Sequence, residues 1–432
     1  MLHEGISLSQ LSGTLDTNTL DTNLVNRLFI LLLLQWTGIA LAQDAQLVAR
    51  IRAHMKETID GVPNYTCEQL IERFRRSAGT GRKFEKLDAL RLEVAVVNKH
   101  ELFAWPGQNQ FQDADLNVFS KRGAFGTGNF VTHISNALNG VGVRYINHGE
   151  TVFAGKKAYR IGYAIPASRK PYSIRIGSEA GIAGVEGQFW VDIETLDVLR
   201  LELGISEIPE KLHLLGTREF VEYARVKIGS GDFLLPKKAD LELEFIDGQI
   251  DKNKTTFNAC RQYSGESTIR FDDGGITDET SKAPEEINVP AGSSIYVELK
   301  GKIDSAHSAI GDPVEFGVLR PVKVKGDVIV PKGALISGRI SRMERAVYGG
   351  NVMRIIGFEL NKITFGNKFS AVNLSVEEGG SVISSRFPNR PMGSRQRIFV
   401  FVEKENTPSK AISMQGNNLE LAKGFLMVFR VN

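Results

Sequence analysis

The residues able to do chemistry in this chain are few, and their spacing argues against most reactions. His100-Glu101 opens the two-histidine zinc signature of a metallopeptidase helix, but Ala104 stands where the second histidine belongs. No Gly-x-Ser-x-Gly turn presents a nucleophile, and no serine has a lysine three residues on. Gly123, Gly126 and Gly128 lack the Lys-Ser/Thr of a phosphate loop. The seven histidines are scattered, and no two have ligand spacing on a helix. Asp272 to Glu286, DDGGITDETSKAPEE, is acidic but lacks the spacing and glycine placement of a calcium loop, and reads as a solvated linker. Glu242 and Glu244 alternate along a strand, where carboxylates ordinarily face water. Arg73, Arg75 and Arg76 likewise read as a solvated strand edge. The expectation is no catalytic residue, no metal ligand and no cofactor, although a triad assembled from distant residues leaves no such spacing. A net charge of +3, dispersed along the chain, argues against a nucleic-acid partner.

Two cysteines remain, and their meaning depends on compartment. Residues 24–42, LVNRLFILLLLQWTGIALA, have a basic Arg27, an apolar run and Ala40-Leu41-Ala42 before Gln43, the pattern of a cleaved secretory signal, an uncleaved anchor being the alternative. The polar residues 1–23 ahead of it are expected to be a non-native leader, with translation starting near Leu24 or Val25. No other apolar run is long enough for a transmembrane span, so the mature chain is expected to be periplasmic or secreted. In an exported chain, Cys67 and Cys260 are most simply read as one disulfide, two separate buried thiols being the alternative. Their separation rules out a redox CxxC pair.

The elements that would carry these residues are mainly strands. In Gly187–Pro209, GQFWVDIETLDVLRLELGISEIP, two alternating runs flank a short polar connector, the pattern of an antiparallel hairpin. It is expected to be the centre of a large antiparallel sheet with one covered face. Other expected strands include Tyr65–Arg75, a pair within Leu87–Trp105 turning at Asn98-Lys99, Tyr172–Ile176 and Arg218–Ile228. Gln43–Asp60 carries Leu47, Ile51, Met55 and Ile59 at intervals of four, a helical stripe. A second, short helix is expected over Asn129–Leu138. Residues 43–271 thus form one α+β domain, 272–286 a linker, and 287–432 a separate small β-barrel or sandwich. Glu377–Arg397 is expected to be a loop within it.

Residues 45–271 resemble the LolA-like superfamily of periplasmic lipoprotein carriers and sensors. The points of resemblance are the leading helix, the run GQFWVDIETLDVLR and the strand FVEYARVKIGSGDFLLP. The resemblance implies a curved antiparallel half-barrel sheet whose concave, apolar side is plugged by helices and can receive acyl chains. The cysteines and the long Leu199–Pro209 strand depart from the typical carrier pattern. Val289–Ile340 is weakly similar to the β-barrel of TrbI-type conjugation proteins, through VPAGSSIYVELKGKIDSA, GDPVEFGVL and VIVPKGALISGRI. That likeness implies an assembly module.

On such a half-barrel, Phe189, Val191, Leu201, Leu203, Leu241 and Phe245 would line an inner face too apolar for a single sheet to leave bare. Either the two helices fill it, or a ligand does. The leading expectation is a non-enzymatic envelope protein binding a lipid or lipoprotein acyl chain. The rivals are an assembly protein whose C-terminal barrel binds an envelope protein partner and, behind it, a hydrolase with an unrecognised site.

Overall fold

The computed structural model describes residues 43–79, 81, 83–108, 110–113, 116, 119, 126–176, 179–263, 284–348, 350–377, 398–401 and 411–432. The expected leader and signal lie outside these residues, as do most of the expected linker and of the Glu377–Arg397 loop. A helix, α1, spans residues 43–60, with Ile51 and Met55 buried on the stripe visible in the sequence. The chain divides into two compact units after His54, the second being Met55–Asn432.

Eleven antiparallel strands make the first sheet: β1 (Tyr65–Arg76), β2 (Glu85–Val97), β3 (His100–Ala104), β4 (Arg144–Phe153), β5 (Lys156–Ile165), β6 (Tyr172–Ile176), β7 (Glu179–Asp192), β8 (Val198–Ser206), β9 (Leu214–Ile228), β10 (Gly231–Phe245) and β11 (Ile250–Gln262). Their order is β3-β2-β1-β11-β10-β9-β8-β7-β5-β4, with β6 on the far end of β7. The sheet is curved and antiparallel, as expected. Asn98 and Lys99 both adopt positive φ in the β2–β3 turn, the backbone that matches the twist of paired strands. The expected hairpin is β7–β8, with Phe189 opposite Leu201 and Gly187 opposite Leu203. It is not the centre of the sheet, however. β1 pairs with β11, so β1 to β3 add beyond the last strand, and β9 to β11 take the middle. Cys67 and Cys260 form a disulfide across that β1–β11 seam, with Cα atoms 4.1 Å apart, at an irregularity between Thr66 and Glu68.

The C-terminal region is a closed six-stranded barrel. Its ring runs Lys368–Val376, Leu426–Val431, Ser294–Leu299, Pro313–Val318, Leu335–Tyr348 and Asn351–Phe365, which pairs back onto the first of them. Phe316, Phe358 and Phe429 meet edge to face inside it. The barrel touches the first sheet directly. Arg91 N–H donates to the Ile310 carbonyl and Ile310 N–H to Ala89, both at 2.8 Å, and the Arg91 guanidinium reaches Asp312 at 2.6 Å. Gly311 sits in this contact with φ +100°, and a Cβ there would lie 2.3 Å from the Arg91 carbonyl oxygen.

Candidate functional site: a plugged trough

Strand register places one face of the first sheet in two transverse rows. Residues opposite one another on paired strands point the same way, so a row can be read across the sheet. One row, Ile161, Phe189, Leu201, Val221, Ala239, Thr255, Ile71 and Leu90, is nearly all apolar. The next, Leu203, Glu219, Leu241, Asn253, Arg73 and Asp88, mixes charge with leucine. Of the six expected lining residues, Phe189, Val191, Leu201, Leu203 and Leu241 are buried, and Phe245 is half-buried. Leu241 and Phe245 belong to an apolar cluster with Ile174, Ala183, Ile205, Leu212 and Leu214.

The cover over these rows includes residues 126–139, ending in helix α2 (Thr132–Asn139). Gly126 passes so near the floor that a Cβ would lie 3.1 Å from Glu219 Oε1 and 3.3 Å from Leu241 Cδ2. Phe130 packs edge to face on Tyr65 of β1 and Phe257 of β11, and Ile134, Ala137 and Leu138 are buried. The helix itself has little to stabilise it. It has eight residues, no side-chain N-cap bond, no acid in its first turn and no base in its last. Side chains of the sheet hold it instead. Glu101 on β3 accepts from Gly128 N–H at 2.9 Å and Phe130 N–H at 3.0 Å. Tyr145 on β4 donates to the carbonyls of Ala137 and Leu138, and Tyr223 on β9 to that of Asn129. Asn136 Nδ2 donates to the Pro171 carbonyl at 3.1 Å.

Charge is concentrated where the plug meets the floor. His133 Nε2 stands 3.5 Å from Glu219 Oε1, close enough for ion pairing but without hydrogen-bond geometry. Tyr172 donates to the other Glu219 oxygen at 3.1 Å, and the His133 ring stacks on Tyr172. Burial alone pulls the His133 imidazole down, but Glu219 outweighs it, with Glu101 adding, so it holds its proton more tightly than a free histidine. Burial pushes the Glu101 carboxyl up, against the two N–H bonds and His133 that favour its charge. Burial and Glu219 both push the Tyr172 hydroxyl well up, so it stays a donor. A water-sized space lies between Gly126, Asn129, Glu219, Asn253 and Thr255, and the buried Asn129 Oδ1 has no hydrogen-bond partner.

Register also corrects the solvated-edge reading of the basic cluster. Arg73 is buried, its guanidinium donating twice to Asp88 across the β1–β2 ladder. Arg75 makes the same paired contact with Asp251, at 2.7 and 2.8 Å. Alternation from Tyr65 through Cys67, Gln69 and Ile71 puts Arg73 inside, and burial without a partner would be prohibitive. Glu244 is exposed and Glu242 half-exposed, whereas Glu219 on β9, not singled out in the sequence, is 1% exposed. Among the described residues, no three His, Cys, Asp or Glu side chains converge as a metal site would require.

No protein-family model matches the chain, and no curated protein does. Several solved structures are similar. A DUF1329 family protein from Desulfovibrio piger matches at 15% identity and TM-score 0.27, over 52% of this chain and 95% of its own. A LolA superfamily protein from Nitrosomonas europaea matches at 10% identity and TM-score 0.25, over 52% and 98%. The Mycobacterium tuberculosis lipoprotein LppX matches at 11% identity and TM-score 0.20, over 49% and 94%. The LolA superfamily is the one that the motifs of residues 45–271 resemble. The likeness of Val289–Ile340 to TrbI-type proteins rests on sequence alone.

Proposed function

We propose that the chain is an exported, non-enzymatic binding protein whose first sheet takes an acyl chain or similar apolar ligand in the trough under residues 126–139. The observation that carries this reading is the mismatch between the trough and its cover. The floor offers a nearly all-apolar row, while the covering helix is short, has no side-chain N-cap and is fastened by the buried Ile134, Ala137 and Leu138 and a handful of polar bonds. A cover of that kind belongs to the low-stability end of a fold and can be displaced as a unit. The Ile161–Leu90 row would then be free to take a chain, each buried methylene contributing about 0.8 kcal/mol. The expected lining residues, Phe189, Val191, Leu201, Leu203, Leu241 and Phe245, would serve that chain.

Export is supported by the Cys67–Cys260 bond, of a kind that forms mainly in oxidising compartments. Native mass spectrometry of the protein purified from its own envelope tests the reading. Co-purifying lipid is the expected result. A stoichiometric protein partner with no lipid would replace it with the assembly role.

A further inference from the structure

We infer that the ligand of this trough is an amphiphile whose polar end is an ammonium group, not an anion. The inference rests on the trough being a ligand site and concerns what the floor demands once residues 126–139 have moved away. Two carboxylates then lose their partners. Glu101 gives up the Gly128 and Phe130 N–H donors, and Glu219 gives up the His133 imidazole, which leaves with the plug. Glu219 lies in the row next to the apolar one and Glu101 faces the plug from β3, and an unpaired charge is costly where the surroundings are buried. The neighbouring arginines cannot compensate, because Arg73 and Arg75 are already matched by Asp88 and Asp251.

What the plug presents to the floor is therefore a template for the ligand. It offers N–H donors to Glu101, a basic imidazole to Glu219, and the apolar Phe130 between Tyr65 and Phe257. An ammonium carries three N–H donors and a full positive charge on one atom, and so substitutes for both polar contacts. A carboxylate or phosphate head would bring another acidic group against the same two carboxyl groups. Tyr172, held protonated by burial, already donates to Glu219 and cannot relieve that repulsion.

Titration calorimetry on the full, disulfide-bonded chain at neutral pH tests this with dodecylammonium, dodecanoate and dodecanol, each below its micellar concentration. Dodecylammonium is expected to bind at least about tenfold more tightly than dodecanoate, with dodecanol between them. Glu219→Gln should bring the ratio of the two charged ligands toward one, and Glu101→Gln serves the same purpose if the first variant folds poorly. The ratio is the readout because either change also loosens the plug and shifts all three affinities together. Dodecanoate binding as tightly as dodecylammonium would overturn the headgroup assignment and leave the trough intact. A wild-type ammonium preference that survives in both variants would overturn it too. Failure of all three to bind would remove the trough reading itself.

Discussion

At the scale of single residues, Glu101 and His133 decide how firmly the trough is covered. Both hold their protons more tightly folded than unfolded, so the native state binds more protons over the window above each ordinary value. For His133 the contribution is complete below its unfolded value of 6.5 and is lost as pH rises through its raised folded value. Its ring faces Glu219 from β9, Tyr172 from β6 and Glu101 from β3, so the loss falls on the plug. Hydrogen-exchange protection factors at the Gly128 and Phe130 amides, with intrinsic base catalysis divided out, should therefore fall between mildly acidic and alkaline pH. His133→Gln should flatten that dependence, and an unchanged profile would place the titration elsewhere. Glu101→Ala should lower stability by about 1.5–3 kcal/mol for each charged hydrogen bond lost, read from the urea midpoint. Little of this was legible in the sequence. The inward place of Arg73 follows from alternation with Gln69 and Ile71, and a buried arginine implies a partner such as Asp88. The meeting of Glu101, His133 and Glu219 does not follow, because they lie on separate elements that only the sheet order brings together.

Elements were easier to read, since alternation and turn chemistry are local. Tyr172–Ile176 and the turn at Asn98-Lys99 appear where period and turn residues place them. Helix α2 begins at Thr132, after the expected Asn129, and the Gly128 and Phe130 N–H groups ahead of it are satisfied by the Glu101 side chain. Tyr145→Phe removes the hydroxyl that bonds Ala137 and Leu138, and should speed exchange along α2 while raising affinity for an apolar chain. Slower exchange or weaker binding would contradict a displaceable cover. The disulfide acts on the β1–β11 seam. Removing it as a Cys67→Ala, Cys260→Ala pair frees a span of 193 residues in the unfolded chain, an entropy equivalent to about 5 kcal/mol at most. Chemical denaturation of the double variant measures it.

Across the whole second unit, the two β-structures share a hydrogen-bonded contact at Leu90 and Ile310, although composition alone reads them as separate modules. Gly311→Val would force the Arg91 carbonyl away and should split one calorimetric transition into two; a single unshifted transition would mean the contact couples nothing. The order of the first sheet carries a further consequence, one for synthesis. Its opening strand finds its second neighbour only in Ile250–Gln262, so the β1–β11 seam is its most non-local pairing. While the chain is being made, Tyr65–Arg76 must wait with one bare edge, a template for any stray strand. A nascent chain cut short before Ile250 should therefore aggregate, and whatever keeps the growing chain unpaired until the eleventh strand has emerged should prevent it.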